Sequence, residues 1–567
     1  MRTNVSVCRR RAIGAAIAAA AVCLGVAACG SSAPTGTAED PATVAPASSI
    51  VYVSAVVRPE GSLRQTTVAD AKLLSHRNEP LGDLLHALAG STPLGEASYA
   101  TEIKPWLGRN AGMFATTSSA IAAATQAIER VPTEGFSPEQ LLRATSAGLL
   151  TAKGSAAAVV LDTSDLGRAR TFIAKLAHRE SANPTQYRGA TFDRSADGNA
   201  VGIVGKFVVV GNEAGLKAAI DTHLGEPSLK DEAHSYARLA AKRPIGALAT
   251  VYLNLAAGTS ATGDSSAQQI PLLEALSSEL KQALISIVPE HLATTIDLDA
   301  LGSNEAKVVS SSAAAANLVQ TLPEGTSIGV GVGEGGTRAA RYLSLVGSVV
   351  SLESKSLLEH FGGPSLTSLL SRLDRHPQAL QSLLAERNGP AMAFIYGTTL
   401  FSLGAGVELE SSAPAPARAT IAKLGALLAA AGAHVTPTSI FNAESAITIR
   451  VPGLPVILDA GADSRRLVIG LGPETVLRAL GPTEPKAPHG LYAQAVSKLG
   501  GAKPVVLANF PNLVTMFNSL GLNESPTVGP VVASLHSLEL VAGAVQGLGA
   551  GIVRLHVYMQ LGVNFTR

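Results

Sequence analysis

The spacing of apolar positions divides the chain into three stretches. Ala12 to Val26 is one unbroken apolar run of 15 residues. Gly30 to Ser49 is rich in Ser, Thr, Ala and Pro and has no hydrophobic period. Beyond it the periods are mixed. Gln186 to Phe192 alternates as a strand does, and Ala196-Asp197-Gly198-Asn199 is a turn signal. Ala200 to Val204 and Phe207 to Gly211 read as further strands with a tight Gly205-Lys206 link. Asn212 stands at the N-cap of a helical pattern carrying Leu216, Ala219 and Ile220. Three short strands and then a helix predict an antiparallel meander with a helix on one face. Leu273, Leu276, Leu280, Leu284 and Ile287 predict one amphipathic helix, and Ser164 is expected to cap another carrying Phe172, Ile173 and Leu176.

Much of this pattern occurs twice in the same order. Pro46 to Val53 has a counterpart in Pro323 to Val330, and Arg109-Asn110-Ala111-Gly112 in Arg387-Asn388-Gly389-Pro390. Phe207 to Gly211 with its helix pairs with Leu467 to Gly470, followed by Val476, Leu477 and Leu480. Ser235-Tyr236-Ala237 and Pro244 recur as Leu491-Tyr492-Ala493 and Pro504. Each copy is expected to end in a hairpin, Ala293 to Val309 and Leu540 to Tyr558. Ordered repetition of this kind predicts duplication. The expected fold class is α+β, with two similar tandem copies of an antiparallel sheet packed with helices. The expected segments are 1–28, 29–48, 49–312 and 313–567.

Composition narrows the picture. At 567 residues the chain exceeds one ordinary core. Apolar residues make up 46% but aromatics only 4%, so the cores must rest on Ala, Val, Leu and Ile. The net charge of +1 includes four leader arginines, Arg2, Arg9, Arg10 and Arg11; without them 40 basic residues face 43 acidic ones. That balance leaves no basic footprint for nucleic acid and no polybasic stripe for anionic lipid. The three cysteines, Cys8, Cys23 and Cys29, all lie in the first 29 residues, so the rest of the chain has no thiol for a disulfide, zinc site or nucleophile.

With these facts the first two stretches read as an export signal and a tether. Arg9 to Arg11 form a positive n-region, and the 15-residue run suits a signal h-region better than a transmembrane helix, which needs ~20. Ala27 and Ala28 are small residues before Cys29, with the peptide bond between Ala28 and Cys29 as the cleavage position. Leu24 to Gly30 resembles the lipobox of bacterial lipoproteins, which implies a diacylglycerol on Cys29. Arg10-Arg11-Ala12-Ile13 also resembles a twin-arginine signal loosely. Residues 29–48 are expected to be a flexible tether with a reach of ~25 Å. No later apolar run approaches transmembrane length without polar interruption, so the lipid is the expected anchor.

The opening strand, Glu102-Ile103-Lys104-Pro105-Trp106-Leu107-Gly108, Tyr187-Arg188-Gly189, and Phe207 to Ile220 together resemble the bacterial, often actinobacterial and exported, domain-of-unknown-function family numbered 3352. The resemblance covers most of residues 46 to 310 and extends more weakly into the second copy, which lacks the Pro-Trp-Leu-Gly element. It implies the fold and an exported location, and no catalytic residue.

A search for chemistry returns little. There is no His-Glu-x-x-His and no Gly-x-Ser-x-Gly elbow. His223 and His234 flank a loop, where a metal role is disfavoured. Asp297 and Asp299 fall on one face of an expected strand; they could act as an acid/base pair or hold a cation, and a solvated strand face is the favoured reading. Gly331-Val332-Gly333-Glu334-Gly335-Gly336 fits G-x-G-x-x-G, but its surroundings read as antiparallel rather than βαβ, which favours a glycine-rich strand end over a nucleotide site. No catalytic residue, cofactor or metal is expected. The expected role is a lipid-anchored, extracytoplasmic, non-enzymatic binding or scaffold protein. Its partners would be the membrane through Cys29, and a lipid, cell-wall or protein ligand. A lipid carrier or chaperone and a hydrolase with a dispersed active site are the alternatives.

Overall fold

The computed structural model describes residues 39–75, 97–129, 138–152, 154–231, 233–260, 281–302, 304–335, 369, 372–373, 375–454, 456–481, 490–525 and 528–562. The leader, Ala28, Cys29 and the expected helix positions Leu273, Leu276 and Leu280 lie outside them. Two compact units emerge. One takes in the described chain up to residue 302 together with 548–554; the other takes in 304–547 and the chain from 555.

In the first unit the strands are β1 (Val51–Val56), β2 (Leu107–Ala115), β3 (Ala157–Thr163), β4 (Asn183–Tyr187), β5 (Ala190–Arg194), β6 (Asn199–Val204), β7 (Phe207–Asn212), β8 (Ala249–Asn254), β9 (Gln282–Glu290) and β10 (Ala293–Leu301). They pair antiparallel in the order β4-β5-β6-β7-β3-β2-β1-β8-β9-β10. In the second unit they are β11 (Thr326–Val332), β12 (Ala391–Tyr396), β13 (Gly404–Glu410), β14 (His434–Thr438), β15 (Ser445–Arg450), β16 (Leu458–Ala462), β17 (Arg466–Leu471), β18 (Val506–Asn509), β19 (Leu538–Gly549) and β20 (Ile552–Leu561). Their order is β14-β15-β16-β17-β13-β12-β11-β18-β19-β20. The class is α+β, but the expectation of two tandem sheets is overturned, because all twenty strands form a single hydrogen-bonded sheet. A repeated pattern fixes strand order locally. It does not say whether an edge strand's free N–H and C=O groups end the sheet or continue it.

Both faces of the first unit's sheet are covered. Along β7, Val208 and Val210 join Trp106, Phe172, Ile173 and Leu176 on one side. Phe207 and Val209 join Tyr52, Phe114, Leu216 and Tyr252 on the other. Double burial explains why Phe207 to Val210 is continuously apolar rather than alternating. The helix Glu213–His223 begins as expected, with the Asn212 side chain accepting from the Gly215 N–H at 2.7 Å. The Asn212 amide also donates to the Ser155 carbonyl at 2.7 Å, tying the cap to the β3 approach.

Several local expectations shift. Gln186 to Phe192 is a hairpin, not one strand: Arg188 and Gly189 turn between β4 and β5 with φ of 47° and 85°. Asp165, not Ser164, caps the helix Leu166–Arg179; the Ser164 hydroxyl donates instead to the carbonyls of Trp106 and Leu107. Leu284 and Ile287 lie on β9, and the hairpin pairs β9 with β10, residues 282–301, while Glu305–Val319 is a helix. Residues assigned to the tether are also packed. Pro41–Thr43 form a 3₁₀ turn, and Ala42, Val44, Ala45 and Ser49 are buried. Asp40 caps that turn, its carboxylate accepting from the Ala42 N–H at 3.0 Å.

Candidate functional site

A cavity of ≈ 520 Å³ opens in the first unit where β1, β2 and β8 meet the loop before β8. Ser54 on β1 lies opposite Thr250 on β8, and their hydroxyls share a 3.0 Å hydrogen bond. Asn110 lies opposite Val56 and donates from its amide to the Glu39 carbonyl at 3.2 Å. Asp40, Arg109 and Arg243 complete the polar lining; Val56, Leu63, Ile245 and Leu248 supply apolar wall. The backbone at Arg109 is fixed from two sides. Its carbonyl accepts from Val57 N–H, and its N–H donates to Asp162 Oδ2 at 3.1 Å.

Three tyrosines pack on the same sheet face. Tyr236 meets Tyr52 edge-on at 5.7 Å and Tyr252 at 5.3 Å. Burial raises the Tyr52 phenol well above its ordinary value; Tyr236 and Asp40 raise it further and Arg243 opposes. Burial likewise raises Tyr236, with Asp40 adding and Arg243 opposing, and lifts Tyr252 to about 12. All three stay neutral near pH 7, so they contribute ring faces and hydroxyls rather than a base. Asp40 and Arg243 therefore act electrostatically on the tyrosines as well as lining the cavity.

Of the residues that carried the family resemblance, Ile103, Trp106 and Leu107 pack on the opposite face, while Phe207, Val209, Leu216 and Ile220 share the face of the tyrosines. The Trp106 ring is buried against Phe172 at 5.2 Å, and its indole N–H donates to the Glu102 carbonyl at 2.7 Å. Gly108 lets Asp162 close on the backbone, since a Cβ there would overlap its carboxyl group. Pro-Trp-Leu-Gly is thus a packing element. A family model described as protein of unknown function (DUF3352) matches residues 12–448, more than half of the chain.

The chain belongs to this family.

No curated protein and no solved structure matched it. Family membership leaves the chemistry to be read from the chain's own groups. Asp297 and Asp299 do share a strand face, but a buried one. The Arg554 guanidinium binds Asp299 through Nε at 2.6 Å and Nη2 at 2.7 Å, and reaches Asp297 through Nη1 at 3.0 Å. Its Nη2 also donates to the Lys242 carbonyl at 2.7 Å. The solvated-face reading is thereby corrected: the pair is buried and bridged by an arginine 255 residues beyond Asp299. His223 ends the helix Glu213–His223 and His234 begins the helix His234–Ala240. Among the described residues no group of three or more His, Cys, Asp or Glu is arranged to hold a metal.

The glycine-rich stretch serves packing. A Cβ on Gly331 would meet Val319 at 2.7 Å, and one on Gly333 would meet Ser311 at 2.5 Å, so these glycines let the helix Glu305–Val319 lie close on β11. Glu334 pairs with Lys307 of that helix at 2.8 Å, and Gly336 is outside the described residues.

Two incompletely paired buried charges escaped the sequence reading. Arg387 is fully buried, with Nη2 donating to the Thr420 hydroxyl at 2.9 Å, and burial lowers its pKa. Arg109, its look-alike in sequence, is exposed. Glu408 on β13 sits between Met392 and Val468 with neither carboxyl oxygen hydrogen-bonded. No local pattern marks either position, because the segments that bury them come from distant parts of the chain.

Proposed function

We propose that this protein is a non-enzymatic binding protein held on the extracytoplasmic face of the cell membrane by a lipid on Cys29, with the first unit's cavity as its ligand site. The cavity carries the reading. It combines a volume of ≈ 520 Å³ with six polar lining residues, Asp40, Ser54, Arg109, Asn110, Arg243 and Thr250. A concave site with a few convergent polar groups is the ordinary form of a small-ligand pocket. Arginine favours anionic oxygens, and the hydroxyls and amide suit a sugar or headgroup.

Position supports the same reading. Asp40, on the cavity wall, is eleven residues from Cys29. Eleven residues span at most ~40 Å even fully extended. A lipid on Cys29 would therefore keep the cavity close to the bilayer, within reach of envelope glycans and lipid headgroups. The polar lining fits a headgroup better than an acyl chain, so it favours binding over carriage of a whole lipid.

The test uses Arg243→Glu, a change at an exposed residue. A polar extract of the native envelope is expected to raise the melting temperature of the wild-type protein. Occupancy at a hundred times the dissociation constant adds about 2.7 kcal/mol. The variant, with the same starting stability, should show no rise. Equal rises in both proteins would place ligand binding outside this cavity, and no rise in either would overturn the reading of a polar envelope ligand.

A further inference from the structure

The second unit carries exposed apolar groups at one end of its sheet. The β12–β13 connection, residues 397–403, presents Leu400 and Phe401, 61% and 99% exposed. The β15–β16 connection, residues 451–457, presents Val456 and Ile457, both exposed. The register places the two connections together. Tyr396 opposes Gly404, Gly406 opposes Gly470, and Leu471 opposes Leu458, so both loops leave the sheet at the same end. Neither segment contains a charged residue.

The hairpin tip is held in shape by its own hydroxyls. Ser402 Oγ accepts from the N–H groups of Thr398 and Thr399 at 3.3 and 3.1 Å, and it shares a 2.9 Å hydrogen bond with the Thr399 hydroxyl. The Ser402 N–H returns to the Thr399 carbonyl at 3.1 Å. At the base of the hairpin Arg478 pairs with Glu474 at 2.8 Å and covers the Tyr396 ring, while exposed Glu324 and Arg450 flank the two connections. In the first unit the corresponding β5–β6 connection is the short turn Ser195–Gly198, with Asp197 and no large apolar residue.

We propose that this end of the second unit touches a bilayer, with Leu400 and Phe401 entering the headgroup region. Three features select a bilayer over a protein partner. The apolar groups stand on two loops at the end of the sheet, with Phe401 99% exposed. The tip's hydroxyls are spent on its own backbone, leaving few groups for specific recognition and little desolvation cost in an apolar interface. Neither loop itself carries a charge that must be dehydrated on entry. The inference shares its membrane with the anchoring proposal but uses none of the same residues.

The experiment exploits the cysteine distribution. In the processed, lipidated protein, Phe401→Cys introduces the only free thiol, which is labelled with an environment-sensitive fluorophore. Ala196→Cys, in the first unit's turn, is the matched control. Reconstituted in phosphatidylcholine vesicles, the label at 401 should shift to shorter wavelength and be quenched by brominated lipid. The label at 196 should do neither. Counting labels by mass reports separately on anchoring, because an unlipidated Cys29 would add a second label. A blue shift at 401 in protein carrying that second label, mixed with vesicles from outside, would keep this inference while the anchor failed. Unchanged emission and full access to an aqueous quencher at 401 in vesicles would overturn it. So would protection that appears only with a lipid-free soluble envelope fraction, which would assign the surface to a protein.

Discussion

Replacing Glu408 by Gln is expected to abolish a loss of stability that the wild-type protein suffers between weakly acidic and alkaline pH. Glu408 is 1% exposed, and its carboxyl group has no hydrogen-bond partner. Burial raises its pKa from 4.5 to about 8, opposed by Arg466 and reinforced by Glu410 and Asp463. Between those two values the folded chain keeps a proton that the unfolded chain has released. Stability therefore falls as pH rises through this window and levels off above about 8. At ~1.4 kcal/mol per pKa unit the full loss is on the order of 5 kcal/mol. A carboxamide cannot ionise, so the Glu408→Gln variant should match the wild type near pH 5 and exceed it near pH 9. Urea unfolding at pH 5, 7 and 9, followed by a probe in the second unit, checks this. Parallel pH curves for the two proteins would mean that Glu408 is ionised when folded.

Arg554→Ala is expected to destabilise the first unit by ~3–5 kcal/mol, because it strands two buried carboxylates at once. Asp299 is bound bidentately and is fully buried, and Asp297 is nearly so. Arg554→Lys should recover only part of the loss, since an ammonium cannot reproduce the planar fork on Asp299. Arg554→Met combined with Asp297→Asn and Asp299→Asn should lose less than Arg554→Ala alone, since no charge is then left buried. Chemical denaturation of the four proteins measures the differences. Residues 548–554 are held in this unit by further bonds, from Gly302 N–H to the Gly551 carbonyl at 3.1 Å and from Arg238 to the Ala550 carbonyl. The loss should therefore appear as earlier release of that segment in hydrogen exchange. A change under about 1 kcal/mol would mean that solvent already screens the cluster.

The local grammar of the chain was legible where one segment determined its own structure. Asn212 caps its helix, Gly205-Lys206 links β6 to β7, and Leu538 to Leu561 forms the terminal hairpin. Errors arose where two periods fit the same residues. Leu280, Leu284 and Ile287 have helical spacing, but Ile285, Ile287 and Val288 are β-branched, and pairing with β8 and β10 makes Gln282–Glu290 a strand. Composition misled at residues 41–49. Their Ala, Val and Pro look like a linker, yet the small side chains are what let this segment pack against Tyr52 and Phe114. The single sheet was invisible for a related reason: repetition reports what each half contains, not where its edge strands find partners.

The candidate site was the least legible part. Asp40 precedes a proline and caps a turn, a local signal that could have been read. Arg243 and Thr250 join it only because β1 and β8 are neighbours, although Ser54 and Thr250 are 196 residues apart. Asp297 and Asp299 stand out in the sequence as a pair, but their partner Arg554 lies in a different hairpin. Charges stabilised by such long-range contacts leave no periodic trace.

The most direct measurement is the mass of the intact protein extracted from its own membrane, taken first under native and then under denaturing conditions. The account predicts a chain beginning at Cys29 with a covalent diacylglycerol under denaturing conditions. Under native conditions it predicts one further non-covalent polar molecule, absent from Arg243→Glu. A chain that retains its leader or carries no lipid would contradict the anchor. A bare native mass, or the same adduct on Arg243→Glu, would contradict the ligand site.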